Sequence, residues 1–332
     1  MTLEQGNIIN LILILSGAFI LDFIFGDPKS KFHPIVLLGN YIKFSEKISR
    51  RLFNNDYLGG VFCVSMVSLS IICVILILMF LLRDFLLLQL FFSMVIIWSC
   101  IAIKSLVEHG LDVIKGLNKS LKKGRLAVSM LVSRETKNMS KEEVIRATIE
   151  SLSENFIDSI ASPIFWFIVG YFLHSIYLAI ALILLLRIVN TFDAMIGYRT
   201  EKYLKFGFFA AKFDDILHFI PARITPIAVG STVFFMNKLS FKFLIKTIKV
   251  AYRDGHKHAS PNSCYGMAAF AGALGIRLGG ATKYNTGIKM YPYWGDDSTK
   301  LSISHIEKAC ALIIYATFFF CVLNITLILL LI

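Results

Sequence analysis

Long apolar segments recur along the chain and predict helices that cross a membrane. The hydrocarbon core of a bilayer is roughly 30 Å thick, which about 20 helical residues span. The stretch 58–82 is long enough by itself and almost entirely apolar. Further apolar segments cover residues 8–25, 85–107, 157–188, 216–235 and 309–332. We therefore predict an all-α fold: a polytopic integral membrane protein with cytosolic helical loops, formed by a single domain over residues 1–332.

The segment 157–188 is too long and too interrupted for one simple crossing. Gly170, His174 and Ser175 lie in its middle. Irregular backbone at membrane depth is tolerated where it is buried in protein or lines a cavity. We expect two shorter helices here, or a re-entrant pair that returns to the same side.

The segment 216–235 contains Pro221 and Pro226, and proline removes a backbone hydrogen-bond donor. It is expected to form a broken or interfacial element. The first segment, 8–25, follows no basic region and precedes no small-residue cleavage site. We expect it to remain as the first membrane helix and not to act as a signal peptide.

The composition agrees with a membrane protein and restricts what the chain binds. Hydrophobic residues make up 56% of the chain and charged residues 17%, with a mean hydropathy of +0.70. The formal net charge is +12, but the Lys and Arg residues lie in loops between apolar segments. They do not form one basic module, so no nucleic-acid partner is predicted. Membrane lipid and phosphorylated substrates are the expected anionic partners.

The distribution of basic residues predicts the topology. Only Arg83 and Asp84 separate the second and third apolar segments, so this tight turn is expected on the side away from the cytosol. The loops around Lys122 and Lys257 are rich in basic residues and are expected in the cytosol, with both termini on the opposite side. The protein is then a multi-pass protein of the cell membrane whose active face is cytosolic.

Carboxylates beside an apolar segment give the first candidates for function, because ionisable groups are costly there. Ser140 followed by Glu143 is a capping box and predicts the start of a helix. On that helix Glu150, Glu154 and Asp158 recur every fourth residue and so share one face. A solvated helix face would show the same spacing. We favour a functional face, since idle carboxylates next to an apolar run would be costly.

Further polar clusters follow the later apolar segments. Asn190 and Asp193 share a helix face, and capping alone explains one of them better than both. Asp214 and Asp215 are adjacent carboxylates of the kind that hold Mg²⁺ together with substrate phosphate. Arg223 lies in an apolar stretch, so its guanidinium must pair with a carboxylate such as Asp214 or Asp215, or with a substrate phosphate.

A glycine-rich stretch at 272–280 contains Arg277 and follows His258 and Asn262. Glycines let backbone N–H groups approach an anion, and arginine offers a bidentate partner for phosphate. Glycine-mediated helix packing is the alternative. The sequence has no Walker A motif, Rossmann glycine pattern, His-rich metal cluster or Gly-x-Ser-x-Gly elbow. The residues alone thus indicate a membrane enzyme or transporter for an anionic substrate, with Mg²⁺ as a candidate ion.

At these clusters the sequence resembles the adenosylcobinamide-phosphate synthase family of cobalamin (vitamin B12) biosynthesis, over nearly the whole chain. The shared motifs are, in chain order, Leu21-Asp22, Gly26-Asp27-Pro28, His33-Pro34, Arg134-Glu135-Thr136, Glu150, Glu154-Asn155, Asp158, Asn190-Thr191-Phe192-Asp193, Gly197-Tyr198, Asp214-Asp215, Pro221-Ala222-Arg223, Ser260-Pro261-Asn262, the stretch 272–280 and Trp294-Gly295-Asp296. The chain departs from the family pattern at Ser133, Glu135 and Met267, where glycine, aspartate and an acidic residue are usual.

The resemblance implies a ligase that forms an amide (C–N) bond. Its substrates would be adenosylcobyric acid and an amino-alcohol phosphate, either (R)-1-amino-2-propanol phosphate or ethanolamine phosphate. Because a carboxylate is a poor acyl donor, the family reaction uses ATP, through an acyl phosphate that the amine attacks. Mg²⁺ and cationic side chains would neutralise the phosphates. The corrinoid is thus a substrate, and ATP and Mg²⁺ are the implied cofactors.

The candidate site residues fall into classes by the chemistry of their side chains. The candidate catalytic residues are Glu150, Glu154, Asp158 and Asp193. The candidate substrate- and phosphate-binding residues are Arg134, Arg199, Arg223, Arg277, His258 and Asn262. The candidate metal ligands are Asp214 and Asp215.

Two alternatives belong to other functional classes. A transporter or sensor for an anionic solute would also place charges within the membrane, but no inverted repeat is visible. A non-catalytic relative of the family, such as the membrane protein linked to β-lactamase induction, would not need to retain Asp, Glu and Arg in all of these clusters.

Overall fold

The computed structural model describes residues 3–27, 34–173, 175–198, 200–257, 260–284, 287–296 and 299–331. Within these ranges the helices are, in chain order, α1 (Leu3–Phe25), α2 (Pro34–Leu52), α3 (Asp56–Leu81), α4 (Leu86–Cys100), α5 (Ile103–Lys119), α6 (Leu121–Val128), α7 (Lys141–Phe156), α8 (Ser162–Leu173), α9 (Ile176–Ile196), α10 (Phe208–Met236), α11 (Phe241–Asp254), α12 (Ser263–Leu274) and α13 (Ile303–Leu331). A π-helical turn, Ile157–Ala161, joins α7 to α8. The predicted all-α fold is confirmed.

One hairpin was not predicted. Strands β1 (Leu278–Tyr284) and β2 (Gly287–Trp294) pair antiparallel between α12 and α13. The register shifts between Gly279 and Gly280, which is a β-bulge. The glycine-rich stretch therefore ends α12 and begins this hairpin.

Seven helical segments of the described chain are long and apolar enough to cross a membrane. They are Ile8–Phe25, Asp56–Leu81, Leu86–Lys119, Lys141–Leu173, Ile176–Ile196, Phe208–Met236 and Ile303–Leu330. Large apolar side chains such as Phe23 and Leu81 remain exposed on these helices. Such a surface is unfavourable in water and matches contact with lipid. The prediction of a polytopic membrane protein is confirmed.

The segment 157–188 forms two helices, as expected from its interruption. Helix α8 ends at Leu173, and α9 begins at Ile176 after Ser175, whose hydroxyl caps the new helix. His174 lies outside the described residues. The preceding apolar segment, 85–107, is also divided. Ile101 has extended backbone, so α4 ends at Cys100 and α5 begins at Ile103, where the sequence predicted one apolar segment.

Helix α10 is not broken at its prolines, so the broken form of the predicted element is wrong, and the interfacial form stays a prediction. It is continuous although it contains Pro221 and Pro226. Pro221 lacks the N–H that would pair with the Leu217 carbonyl one turn earlier. The indole N–H of Trp166 on α8 donates to that carbonyl instead, at 2.8 Å. A neighbouring helix thus satisfies the freed acceptor, and the helix can continue through the proline.

The chain divides into two compact units whose segments alternate along the sequence. Unit 1 consists of Met1–Ala102 and Ser162–Leu217, and unit 2 of Ile103–Ala161 and His218–Ile332. The assignment of a single domain to residues 1–332 stays a prediction.

Unit 1 is built around the packing of α2, α3 and α9. Ile42, Val64 and Phe192, one from each of these helices, belong to its apolar core. Its polar contacts include Arg50 of α2, which donates to Asp56 at the start of α3 at 3.0 Å. The core of unit 1 thus holds α9, the helix that carries the Asn190 and Asp193 motif.

Unit 2 places α12 directly against α7. Nearly every residue of α12 is buried, as expected for a helix that is apolar on all sides. At Gly266 a Cβ would lie 2.4 Å from the carbonyl oxygen of Ser153 on α7. Glycine is therefore required for this close approach, which brings the start of α12 beside the carboxylates of α7.

The predicted topology can be tested with single cysteines at Arg83, Lys122 and His256, which are all exposed. We expect a membrane-impermeant thiol reagent to label position 83 in intact cells, and positions 122 and 256 only after permeabilisation, because basic loops remain in the cytosol. The background should carry Cys73→Ser, since Cys73 is exposed. Labelling at 122 with none at 83 would overturn the topology. Labelling of intact cells at both positions 83 and 256 would place both positions outside the cytosol. Helix α10 would then cross the whole membrane.

Candidate active site

The predicted capping box is present and fixes the start of α7. Ser140 Oγ accepts the Glu143 N–H at 3.2 Å, and the Glu143 carboxylate accepts the Ser140 N–H at 2.6 Å. From this start, residues four apart share one face of the helix. Glu150 and Glu154 therefore project from the same side of α7, as the sequence spacing predicted.

Glu150 is buried, and each of its two carboxylate oxygens accepts a hydrogen bond. It is 2% exposed. Arg134 Nη1 donates to Oε2 at 2.5 Å, and the Gly279 N–H donates to Oε1 at 2.7 Å. Burial disfavours the charged guanidinium, yet the Glu150 carboxylate raises the pKa of Arg134 above its ordinary value. Glu150 thus ties α7 to the hairpin and to the segment that precedes the helix.

Glycine is required at position 279 for this contact. Its φ of +86° lies in the left-handed region, and a Cβ there would lie 2.0 Å from the Pro292 carbonyl oxygen. Arg146 of α7 holds the same strand, because its guanidinium donates to the carbonyls of Gly279 and Ala281 at 2.6 and 2.8 Å. The anion approached by this glycine-rich backbone is therefore the protein's own carboxylate, Glu150.

Glu154 lies one turn beyond Glu150 and is partly buried. Ser263, the first residue of α12, and the charged groups of Arg134, Glu150 and Asp158 lie close enough to act on it. Three acidic side chains are thus brought together around the end of α7, as predicted.

Asp158 is presented by the π-helical turn. Such segments are rare and frequently lie at functional sites. Its side chain is 34% exposed, and His218 of α10, which is 1% exposed, places Nδ1 3.7 Å from the Asp158 Oδ1. An accessible carboxylate beside a buried imidazole can accept a proton from a bound nucleophile.

Arg223 is held by carbonyl and amide oxygens and by aromatic rings. Its Nη1 donates to the Phe219 carbonyl at 2.7 Å and to Asn262 Oδ1 at 3.3 Å. Its guanidinium lies 3.4 Å from the centre of the Phe219 ring and 4.7 Å from that of Tyr265. In the described chain its remaining side-chain hydrogen bond is to the Pro261 carbonyl at 3.5 Å. No carboxylate partner is present among these residues, so the positive charge can meet an anionic ligand.

Arg277 lies at a different place in unit 2, on a polar cavity of 680 Å³. Its guanidinium lies 4.6 Å from the centre of the Tyr293 ring. Arg146, Thr299 and Lys300 also line this cavity. The carboxylates of Glu142 and Glu143 line it as well, so the charge of the cavity is mixed, and Glu154 and Asp158 do not line it.

Asp193 and the predicted metal ligands belong to unit 1. Asn190 Nδ2 donates to Asp214 Oδ1 at 3.4 Å, and Asp215 lies 3.7 Å from Lys212 Nζ. Neighbouring residues of a helix do not face one another, so the adjacent carboxylates project in different directions. The described residues contain no group of three or more His, Cys, Asp or Glu that could hold a metal ion. Mg²⁺ also binds through one or two carboxylates and substrate phosphate, so this assignment stays a prediction.

Some positions were missed or are not described. Arg199 and His258 lie outside the described residues, and their roles stay predictions. His218 was missed, although its spacing of four from Asp214 places both on one face of α10 and was a signal in the sequence.

Asp254 was also missed, and it fastens α11 to the end of the hairpin. It is fully buried and accepts hydrogen bonds from Arg253, Lys257 and the Gly295 N–H. Burial alone would raise the pKa of this carboxyl, but these donors lower it to about 2. Its stabilising effect is therefore present above the ordinary aspartate pKa and is lost as the pH falls towards 2. Arg253 and Lys257 flank Asp254 in the sequence, and these cations were the signal from which its role could have been predicted.

Comparison with known proteins gives matches along nearly the entire chain. The family model described as CobD/Cbib protein matches residues 15–313. A relative from Clostridium perfringens, named cobalamin biosynthesis protein CobD, is 36% identical over 307 residues, or 90% of this chain and 91% of its own. Proteins of the same name from Clostridium acetobutylicum and Leptospira interrogans are 33% and 35% identical, covering 94% and 92% of this chain and 96% and 95% of theirs. No solved structure matches the chain.

Proposed function

The chain belongs to the CobD/Cbib family of cobalamin biosynthesis, and on that premise we propose that it forms an amide bond between adenosylcobyric acid and an amino-alcohol phosphate. Family membership supports an enzyme of this pathway that handles a corrinoid. The proposed product is adenosylcobinamide phosphate. The amino-alcohol phosphate is either (R)-1-amino-2-propanol phosphate or ethanolamine phosphate, and ATP activates the corrinoid carboxylate.

The observation that supports this chemistry most directly is the accessible Asp158 beside the buried His218. An amine is protonated at neutral pH and must lose a proton before its nitrogen can attack a carbonyl carbon. Asp158 is the proposed base that takes this proton, with His218 orienting its carboxylate. A positioned base contributes about 10²–10⁴-fold to such a rate. Glu154 offers a second carboxyl group at the same place, which can hydrogen-bond to the amine.

The amide forms when the amine nitrogen displaces phosphate from the activated carboxyl group. The leaving group is anionic, and so is the phosphate that the amino alcohol carries. Arg223 is suited to one of these anions, because its polar contacts in the described chain are to neutral oxygens and rings. Arg277 offers a second cationic group on the polar cavity, where Lys300 pairs with Glu142 at 3.4 Å. Arg134 is engaged by Glu150, and its role as a phosphate clamp stays a prediction.

Mg²⁺ remains part of the proposal because ATP-dependent chemistry needs phosphate charge to be neutralised. Asp214 and Asp215 would hold it, and a single carboxylate with substrate phosphate is enough for that ion. We place the active face in the cytosol, where ATP is found and where the basic loops are expected.

The proposal is tested with the purified full chain in nanodiscs. Adenosylcobyric acid, ATP and Mg²⁺ are supplied with each amino-alcohol phosphate in turn, and the corrinoid product is measured by mass. We expect adenosylcobinamide phosphate to form only when all components are present, with one ADP released per product. Its absence under all these conditions would reject the proposal. Uptake of an anionic solute by proteoliposomes without product would favour the transporter.

Arg223→Lys separates a phosphate clamp from a structural role. Lysine keeps the charge but loses the planar fork that contacts phosphate at two points. We expect the KM for ATP or for the amino-alcohol phosphate to rise about tenfold, with unchanged membrane yield. Arg83→Lys is the matched control, because Arg83 also stacks on a phenylalanine ring but is exposed at a turn. A fall in folded yield with normal kinetics in the surviving protein would assign Arg223 a structural role.

A further inference from the structure

Arg187 lines an apolar cavity within unit 1. The cavity has a volume of 370 Å³ and is bounded by residues of α2, α3, α4 and α9. Leu38, Ile71, Leu184 and Ile188 are among its apolar walls. Arg187 supplies the charged group in this lining, from the apolar helix α9.

The guanidinium of Arg187 lacks an anionic partner in the described chain. Its Nε is buried and has no hydrogen-bond partner, and none of the ion pairs among the described residues includes it. Of the other polar groups on the cavity, the Tyr41 hydroxyl bonds to Ser70 and the Ser99 hydroxyl donates to the Ile96 carbonyl. These groups are neutral. Arg187 is partly buried, and a cation without an anionic partner is costly in an apolar helix, so an anion from outside the chain would relieve that cost.

The position and the walls of the cavity restrict which anion this is. Ser99 and the adjacent Cys100 end α4, while Pro34 begins α2. Ile71 and Leu184 lie within α3 and α9, two helices that are long and apolar enough to cross a membrane, so the cavity is bounded by segments that contact lipid. A small soluble anion would satisfy Arg187 but would leave the apolar walls in contact with water. A ligand with a phosphate and a hydrocarbon tail satisfies both.

We propose that this cavity is a binding site for an anionic phospholipid, whose phosphate pairs with Arg187 and whose acyl chain lies along Leu38, Ile71, Leu184 and Ile188. The inference goes beyond the proposed reaction and does not depend on it, because it rests on unit 1 alone.

The experiment measures lipid retention by the purified full chain with native mass spectrometry. The protein is equilibrated with mixtures of phosphatidylglycerol and phosphatidylcholine of matched chain length. We expect one phosphatidylglycerol to be retained about tenfold more strongly than phosphatidylcholine, which corresponds to ~1.4 kcal/mol. Equal retention of both lipids would overturn the proposal.

Two variants and one control make the result specific to the cavity. Arg187→Gln removes the charge, and Leu184→Phe fills the cavity while keeping the charge. Each should reduce the preference to within about twofold, because charge and space are both needed. Arg83→Gln is the control, since it removes a charge from an exposed position of the same unit and should behave like the unmodified protein. If Arg187→Gln does not fold, an unchanged preference in Leu184→Phe would still overturn the proposal. Loss of preference in Arg83→Gln would do so as well.

A second arm distinguishes a lipid from a soluble anion. Inorganic phosphate is added to the protein in phosphatidylcholine, and thermal stability is followed with and without the Arg187→Gln change. We expect no stabilisation that depends on Arg187. Stabilisation by phosphate that is lost in Arg187→Gln, together with no preference for phosphatidylglycerol, would assign the site to a soluble phosphate and overturn the lipid proposal.

Discussion

Asp158→Asn is expected to lower the rate of adenosylcobinamide phosphate formation by about 10²–10⁴-fold while the protein remains folded. Asparagine has nearly the same shape as aspartate but cannot accept the proton of the attacking amine. The side chain of Asp158 is 34% exposed, so the change removes a charge that water can reach. Turnover should therefore fall much more than stability.

Glu154→Gln is expected to act in the same direction, because it removes the second carboxyl group beside the proposed amine site. The assay is product formation per folded protein, with folding checked by size-exclusion chromatography in detergent. Asp112→Asn and Glu108→Gln are matched controls, since both residues are exposed on α5 in the same unit, at 60% and 58%. They should keep normal turnover. Near-normal turnover in both active-site variants would return these carboxylates to the role of a solvated helix face.

The carboxylate face of α7 could be predicted because its determinants are local. Spacing of four residues and a capping box fix which side chains share a face, and both operate within one helix. The membrane assignment was predictable for a similar reason, since the length and hydropathy of a segment are properties of that segment alone.

Contacts between distant parts of the chain explain what was missed. Helix α10 continues through Pro221 because Trp166 supplies a donor from another helix, and nothing near the proline indicates this. The hairpin at Gly279 depends likewise on Glu150 and Arg146, which lie far earlier in the sequence. The sequence predicted that the glycine-rich stretch 272–280 approaches an anion, but it did not identify that anion as Glu150.

The partners of Arg223 show the same limit within the candidate site. The cost of a guanidinium in an apolar helix predicts that it has a partner. Its contacts with Asn262 and Tyr265 come from a different segment. Spacing along α10 therefore suggested carboxylates as partners, whereas packing supplies an amide and a ring.

Glu150→Gln is expected to destabilise the protein by about 3 kcal/mol, because it leaves the Arg134 guanidinium with no carboxylate in a largely buried position. Glutamine keeps an oxygen that can accept the Gly279 N–H, so the loss is mainly that of the charge. The side chains of Arg134 and Glu150 are 16% and 2% exposed, which limits the relief that water can give. The expected cost is therefore at the lower end of the range for breaking a buried ion pair.

The measurement is reversible unfolding of the purified protein in mixed detergent micelles. The double variant Arg134→Met with Glu150→Gln should recover most of the lost stability, because it contains no unpaired buried cation. Glu108→Gln on α5 should change stability by less than about 0.5 kcal/mol, since it removes an exposed charge. If Glu150→Gln is as stable as this control but inactive, Glu150 reacts with substrate as first predicted. If it is destabilised and the folded fraction turns over normally, Glu150 is the anchor that holds the hairpin against α7.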